Sequence, residues 1–317
     1  ERFGALFHWK DGEVTEVDGI PATEVIDGGL IYGGLLEVSL HPDFEDNGLV
    51  YLAYDDPAYE LVVARFHLVD DRAEDLEVVW RSPFFSLGSR IAWQDPDHFF
   101  VSFGIGGSPH ADPGPQDLTA DTGKIHRLRA DGAVPDDNPV FDGQTEPSSI
   151  WSYGHRNPQG LFHEADTGTL WATEHGPKGG DELNAIVRGG NHGWPLVSAG
   201  LNYDDTPVST LTPEEAAAFS VLPAKTWTPR FRVAPAGLLR VGPSPIPAWE
   251  GSFLMGSLHQ QGLLRHDLAT DETEVVGVQV GRVRDVDQLP GGDLVVTIDA
   301  GSPSAADEGR VVRLSAR

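Results

Sequence analysis

The chain has 317 residues, enough for two ordinary domains or one large all-β domain. Its 49 acidic and 22 basic residues give a net charge of −27, which argues against a nucleic-acid partner because phosphates require a positive surface. The absence of cysteine excludes disulfides and thiolate chemistry, and no apolar run approaches the about 18 residues of a membrane span.

Short apolar or alternating runs recur along the chain, and Gly, Pro, Asp and Asn separate them. Runs of this length with turn residues between them predict β-strands. The sequence "LTPEEAAAF" predicts one short helix near 212–219, with Thr212 as the N-cap, Pro213 in the first turn and Glu215 closing a capping box. The strand predictions cover 35–40, 49–54, 61–67, 98–103, 125–129, 169–173, 253–257, 294–298 and 311–315.

A weak repeat runs through these strands. A strand that ends in His or Arg and Leu, followed by an acidic turn, occurs as "RFHLVDD", "IHRLRADG", "LLRHDLATDE" and "VVRLSAR". A period of roughly 50 to 60 residues is typical of propeller blades. The sequence therefore predicts a six-bladed β-propeller as a single domain over 1–317; a β-sandwich array is the alternative.

Four loops carry the residues from which a binding site could be built. The loop 152–160 holds His155, Arg156, Asn157 and Gln159; 173–182 reads "TEHGPKGGDE"; 256–262 holds His259; and 281–288 holds Arg282 and Arg284. Each loop alone could be an ordinary turn or a surface ion pair. Together, guanidinium groups suit a polycarboxylate ligand, and a Gly-Pro turn beside carboxylates suits Ca²⁺.

Longer segments bear a family resemblance. They read "GGLLEVSLHPDFEDNGLVYLAY", "GKIHRLRADGAVPDDNP", "IWSYGHRNPQGL", "TLWATEHGPKGGDELNAIVRGGNHGWPLVS" and "GRVRDVDQLPGGDLVVT". The chain resembles the soluble glucose and aldose sugar dehydrogenases that depend on pyrroloquinoline quinone (PQQ), also called glucose/sorbosone dehydrogenases. The resemblance implies a six-bladed propeller that carries PQQ and Ca²⁺ and oxidises a sugar or alcohol.

The same resemblance bears on the ends and the location of the chain. The segment "ERFGAL" is similar to a stretch that follows the family's first strand, so an N-terminal strand is expected to be missing or trimmed. The family implies a periplasmic or secreted protein. No signal segment opens this sequence, and a cytoplasmic location is also compatible with it.

The resemblance also implies roles for individual residues. Arg156 and Asn157 match a quinone-contacting pair, Arg282 and Arg284 match arginines that bind the PQQ carboxylates, and His259 stands where glucose dehydrogenases place a lysine. Gly176 and Pro177 match the turn whose backbone oxygens hold Ca²⁺, and Asp181 matches a nearby carboxylate.

The catalytic positions differ from the family pattern. The family's general base is a His oriented by an Asp; the segment "SLGSRIAWQDPDHFFVSFGI" places Ser86 and Ile105 at these positions. Ser is no base at neutral pH, so the identity of the catalytic base is left open. His110, in a nearby loop, is a candidate substitute, and Tyr32 replaces a sugar-contacting Gln.

Three functions follow as hypotheses. The first is a PQQ- and calcium-dependent sugar or alcohol dehydrogenase with an altered pocket and an electron acceptor that the sequence does not identify. The second is a non-catalytic propeller that keeps the cofactor scaffold. The third, based on fold analogy alone, is a calcium-dependent lactonase.

Overall fold

The computed structural model describes residues 2–10, 12–27, 31–105, 114–244, 246–276, 280–299 and 309–315. His110 lies outside these ranges. Within them, the secondary structure is almost entirely β, and no helix is long and apolar enough to cross a membrane.

The first part of the chain forms two small antiparallel hairpins. Strands β1 and β2 pair with each other, and β3 pairs with β4. Their bounds are β1 Phe7–Lys10, β2 Glu13–Glu16, β3 Val25–Asp27 and β4 Ile31–Gly33.

Two four-stranded antiparallel blades follow, each with its strands hydrogen-bonded in chain order. The one-turn helix α1, Phe44–Asn47, joins the first two strands of the first blade, and a 3₁₀ turn, Gly114–Gln116, precedes β11. The strands are β5 Leu35–Leu40, β6 Leu49–Asp55, β7 Leu61–Val69 and β8 Arg72–Ser82, then β9 Ile91–Asp95, β10 His98–Phe103, β11 Lys124–Arg129 and β12 Ile150–Tyr153.

Two more four-stranded blades and a three-stranded blade complete the described chain. Helix α2, Pro213–Ala217, lies in the long connection before β16, and a 3₁₀ turn, Pro247–Trp249, precedes β18. The strands are β13 Pro158–Glu164, β14 Thr169–Glu174, β15 Asp181–Ile186 and β16 Lys225–Trp227; β17 Pro235–Arg240, β18 Phe253–Ser257, β19 Gly262–Asp267 and β20 Glu272–Val276; and β21 Arg282–Gln288, β22 Leu294–Asp299 and β23 Arg310–Leu314.

The prediction of six blades is wrong, because the described residues form five. The prediction from the repeat spacing assumed that every stretch of similar length forms a blade. Two stretches do not: the described residues before position 34 form only the two hairpins, and residues 187–224 are a long connection within a single blade.

The repeat itself has a structural counterpart. "RFHL" lies on β7, "IHRLR" on β11, "LLRHD" on β19 and "VVRL" on β23, and each of these is the third strand of its blade. The helix at 213–217 is also confirmed, because Thr212 and Glu215 form both hydrogen bonds of the capping box.

Apolar side chains fill the spaces between neighbouring blades. One cluster joins the first two blades through Tyr51, Ala53, Ile91 and Phe99, and three further clusters join the later blades in succession. Strand β6 packs against the second blade on one face and against N-terminal residues such as Leu6 and Ile20 on the other, so it is apolar at nearly every position.

The innermost strand of every blade lines a central channel. A cavity of about 460 Å³ is bordered by β5, β9, β13, β17 and β21. At its border, the Arg90 guanidinium donates to the carboxylates of Glu37 and Asp285, both at 2.9 Å. The same group donates to the Gln159 carbonyl at 2.8 Å and the Arg284 carbonyl at 2.7 Å. One buried side chain therefore ties four of the five innermost strands together.

Candidate functional site

Arg156 lies at the centre of the candidate site. Its Nη1 donates to the carbonyl oxygens of His175 at 3.0 Å and Gly176 at 3.1 Å. Its guanidinium carbon lies 5.4 Å from the ring centre of Trp194, and the side chain is 6% exposed. Because burial disfavours the charge, the pKa of Arg156 lies below its usual value. The loops 152–160 and 173–182 are thus in direct contact.

The Asp181 carboxylate fixes the Gly176–Pro177 turn through a backbone amide. One carboxylate oxygen of Asp181 accepts from the Gly176 amide at 3.1 Å, and the other accepts from the amides of Val233 and Ala234, both at 3.0 Å. A side chain cannot fit at position 176, because a Cβ would lie 2.1 Å from the Gly179 carbonyl oxygen. Asp181 therefore positions the turn through backbone contacts.

The remaining two loops approach the same end of the ring. The amide of exposed His259 donates to the Val233 carbonyl at 3.4 Å, so the loop 256–262 lies beside the segment that Asp181 holds. The Gly281 amide donates to the Gln261 carbonyl at 3.3 Å, which joins this loop to the strand that carries Arg282 and Arg284.

Arg282 and Arg284 converge on one carboxylate. Their Nε atoms lie 3.2 Å and 2.5 Å from the oxygens of Asp299. Burial and the nearby positive charge of Arg2 lower the pKa of Arg284 to about 10. Arg2 is partly buried, and its pKa is lowered by that burial and by Arg282 and Arg90. The site thus concentrates guanidinium groups in a strongly acidic protein.

The buried side chains of Glu174 and His155 hydrogen-bond to each other, and Glu174 also fixes the backbone of Arg156. Glu174 accepts from the Arg156 amide at 2.6 Å and from His155 Nδ1 at 2.9 Å, and Ser152 is hydrogen-bonded to the other ring nitrogen. Burial raises the pKa of Glu174 to about 7 and, with nearby Lys124, lowers that of His155 to about 3. The Glu174–His155 pair was not predicted from the sequence, although both residues stood in loops that it singled out.

Ser86 is committed to backbone contacts. Its hydroxyl donates to the Gly88 carbonyl at 2.7 Å, with the Gly104 carbonyl 3.2 Å away, and the side chain is 0% exposed. Ile105 is buried, and its amide donates to the Arg156 carbonyl at 2.7 Å. The two residues that the family resemblance aligned with a base and an orienting acid are therefore a hydroxyl hydrogen-bonded to backbone and a buried apolar side chain.

Asp55, which the sequence analysis did not single out, lies directly against Ser86. The Ser86 amide donates to one Asp55 carboxylate oxygen at 2.8 Å. The other oxygen is buried and has no hydrogen-bond partner among the described residues. Burial raises the pKa of Asp55 to about 8. An acid at the end of the apolar strand 49–54 is the one local sign of it.

Comparison with known proteins agrees with this architecture. The family model "Glucose / Sorbosone dehydrogenase" matches residues 1–312, and the chain belongs to this family. It is 32% identical to the aldose sugar dehydrogenase YliI of Escherichia coli, over 95% of this chain and 83% of that protein. It is 30% identical to the quinoprotein glucose dehydrogenase B of Acinetobacter calcoaceticus, over 60% of this chain and 45% of that protein. A crystal structure of a glucose dehydrogenase superposes with a TM-score of 0.86 and 32% identity, covering 100% of this chain and 92% of the other.

Proposed function

We propose that this sugar dehydrogenase-like protein binds PQQ together with Ca²⁺ and oxidises a sugar, with a catalytic pocket that differs from the family pattern. The observation that carries the proposal is that Arg156 binds the carbonyls of the Gly176 turn, while Arg284, which shares Asp299 with Arg282, lies close enough to lower the pKa of His175 beside that turn. These are the residues that the family resemblance assigned to the cofactor. A relative at 30% identity is a quinoprotein glucose dehydrogenase.

The residues fit an anionic, planar ligand. Burial and repulsion from Arg2 lower the pKa of Arg284, so carboxylates placed there would stabilise its charge and offset repulsion among the guanidinium groups. The Nε of Arg156 is buried and has no partner within the described part of the chain, which leaves a donor available. Planar guanidinium forks suit carboxylates better than ammonium groups do. PQQ carries three carboxylates on a fused ring, and it matches this donor set.

This site can bind Ca²⁺ only if the protein and the cofactor both supply oxygen ligands. Ca²⁺ takes oxygen ligands, including backbone carbonyls, and the Gly176–Pro177 turn offers such oxygens. The Gly176 carbonyl already accepts one hydrogen bond from Arg156, and both Asp181 oxygens are engaged. The described residues contain no cluster of three or more His, Asp or Glu side chains that could hold a metal. The proposed Ca²⁺ therefore depends on oxygens from the cofactor.

The arginines of the site and Ser86 have different roles in the proposed reaction. Bound PQQ supplies the two-electron acceptor for an alcohol or sugar. Arg156 is fixed by the His175 and Gly176 carbonyls and by Trp194, so its charge is pre-positioned for an electron-rich ligand. Arg282 and Arg284 supply charge-assisted donors for carboxylates. Ser86 is neither ionisable at neutral pH nor free to rotate from its carbonyl partners.

The test is a spectroscopic titration of the purified protein with PQQ, with Ca²⁺ or with a chelator. We expect saturable binding that the chelator weakens, and turnover of one or more aldoses with an artificial electron acceptor. Absence of PQQ binding under both conditions would refute the proposal. The family resemblance also supports a periplasmic or secreted location, which cell fractionation would test.

A non-catalytic propeller is the second candidate. It is favoured by the engaged Ser86 hydroxyl and by Ile105, because neither can take up a proton. This alternative predicts PQQ binding without turnover of any aldose or alcohol. Lactone hydrolysis gains no support from the described residues, which lack a carboxylate cluster around one metal position.

A further inference from the structure

We propose that the Asp55 carboxylate accepts the substrate's hydroxyl proton in this chain, in the role that Ser86 cannot fill. The inference rests on the proposed dehydrogenase function and assigns its general base. The sequence analysis did not single out Asp55, because the residue is 31 positions away from Ser86 along the chain.

The first observation is the position of the carboxyl group. Asp55 ends strand β6, and one of its oxygens accepts from the Ser86 amide at 2.8 Å. The acid is thereby fixed to the backbone of the residue that occupies the family's base position. Its backbone is fixed as well, since its amide donates to the Gly34 carbonyl at 3.0 Å and its carbonyl accepts from the Glu24 amide at 2.8 Å.

The second observation is the unused oxygen. Oδ2 of Asp55 is buried and has no hydrogen-bond partner in the described ranges. A buried polar atom without a partner costs about 1–3 kcal/mol, so native proteins seldom keep one without a function. Within the described structure this oxygen makes no hydrogen bond, so a substrate hydroxyl that reached it would supply the missing partner.

The third observation is what covers that oxygen. A Cβ on Gly33 would lie 2.9 Å from Asp55 Oδ2 and 2.2 Å from Phe85 Cζ, so Gly33 and the Phe85 ring pack closely against it. Gly33 has φ +74°, a conformation that glycine adopts without strain. Phe85 is only partly buried, so the cover on this side is a side chain that can turn, and a substrate hydroxyl reaches Oδ2 when that ring turns away.

The fourth observation connects Asp55 to the cofactor side of the site. Gly88 follows Ser86 by two residues and packs so closely on the next loop that a Cβ would lie 1.8 Å from Gln159 Nε2 and 3.2 Å from Asn157 Oδ1. One short segment, 86–88, therefore contacts Asp55 at one end and the Arg156–Asn157 loop at the other.

The protonation behaviour of Asp55 suits proton transfer near neutral pH. Burial raises its pKa to about 8, the Ser86 amide and the charge of Arg2 act in the opposite direction, and Asp56 adds to the rise. A general base works best when its pKa lies near the working pH. The active form is the carboxylate, so turnover should rise as pH increases through this range.

The step balances as an alcohol oxidation. The substrate's O–H bond breaks and its proton goes to Asp55. The oxidant would be a bound quinone, which would accept the hydride of the substrate C–H bond with its two electrons while a C=O bond forms on the substrate. Asp55 afterwards returns its proton to solvent.

The experiment compares Asp55→Asn with Asp56→Asn in the PQQ-loaded protein. Asp56 is the neighbouring acid, and it pairs with Arg81 at 2.7 Å away from Ser86. We expect the Asp55 variant to bind PQQ with unchanged affinity and to lose about 10²–10⁴-fold in turnover. The Asp56 variant should keep its turnover. Equal turnover in wild type and D55N would overturn the inference and leave the dehydrogenase function standing; a wild type without turnover would remove both.

A second measurement needs neither cofactor nor turnover. Infrared difference spectra of the apo-protein between pH 6 and pH 10 should show a protonated carboxylic acid that titrates in wild type and is missing in D55N. No such band would contradict the inference. Ser86→His in the D55N background should restore part of the lost turnover, since an imidazole then returns at the position of Ser86.

Discussion

The guanidinium of Arg90 donates a hydrogen bond to the backbone carbonyl of Arg284 at 2.7 Å. Arg90 lies on the inner edge of the second blade and Arg284 on the innermost strand of the fifth, so the bond crosses the ring. Although burial works against its charge, Asp285 and Glu37 hold the pKa of Arg90 above its usual value. This residue therefore stays charged while it fixes the strand that presents Arg284.

Arg90→Met should destabilise the protein strongly. The variant would leave Glu37 and Asp285 without their shared cation, and losing one partner of a buried ion pair costs about 3–5 kcal/mol. Urea denaturation followed by tryptophan fluorescence measures this loss. The matched control is Arg265→Met, because Arg265 pairs with the exposed Glu274 at the outer part of its blade, and should cost about 1 kcal/mol or less. Equal losses in the two variants would contradict the special role of Arg90.

Arg284→Gln should weaken PQQ binding by about 10–100-fold, which corresponds to the loss of one charge-assisted hydrogen bond. The physical reason is that the amide keeps a donor but not the charge. Fluorescence titration with PQQ measures the change, and affinity should also become less sensitive to salt. Arg313→Gln serves as the control, since Arg313 pairs with Asp293 in the same blade. A control that loses as much affinity would show a general rather than a local effect.

Gly176→Ala should distort the turn and reduce binding of both PQQ and Ca²⁺. The added methyl would lie 2.1 Å from the Gly179 carbonyl oxygen and 2.7 Å from that of Gly180, and these are backbone atoms that cannot rotate away. Calorimetric titration measures both ligands. Gly291→Ala is the comparison, because a Cβ there meets nothing within 4 Å. Unaltered binding in the Gly176 variant would separate this turn from the ligand site.

Asp55→Asn should change how stability depends on pH. The folded pKa of Asp55 is raised to about 8, so between its unfolded value and pH 8 the native state holds a proton that the unfolded chain releases. Wild-type stability therefore falls as pH rises through this window. The variant does not lose stability in this way, so its free energy of unfolding relative to wild type should rise from about pH 4 to about pH 8 and then level off. Arg2 and Asp56 are the charged groups that act on this carboxyl.

Asp56→Asn gives the opposite sign and serves as the control. The pKa of Asp56 lies below its usual value, because hydrogen bonds from Arg81, Ala58 and Glu60 outweigh its burial. Its stabilising contribution is present at neutral pH and is lost in acid. Thermal melts should thus show Asp55→Asn gaining stability relative to wild type as pH rises from about 4 to about 8, and Asp56→Asn losing its deficit relative to wild type only below about pH 4.

The sequence allowed prediction wherever the information was local. The capping box at Thr212 and Glu215 involves neighbouring residues only, and it forms as predicted. The blade repeat was visible because third strands share a chemistry of basic and apolar side chains followed by an acidic turn. The convergence of the four loops could be predicted because one end of a propeller collects the turns of every blade.

What could not be predicted depends on contacts between distant segments. Asp55 and Ser86 are 31 positions apart, and Arg2 meets Arg282 from the opposite end of the chain. Neither contact leaves a pattern within a window of strand length. The predicted number of blades was wrong for the same reason, because the spacing of repeats alone does not distinguish a blade from the long connection at 187–224.

That connection has a consequence of its own. It leaves the blade after β15, places Trp194 and Tyr203 against Arg156, and returns as β16, which pairs with β15 at Asp181–Leu183. The wall of the pocket and the outer edge of the blade are therefore one continuous peptide. A ligand that orders the wall should slow amide hydrogen exchange in β16, so occupancy of the pocket and local unfolding of this blade are thermodynamically linked.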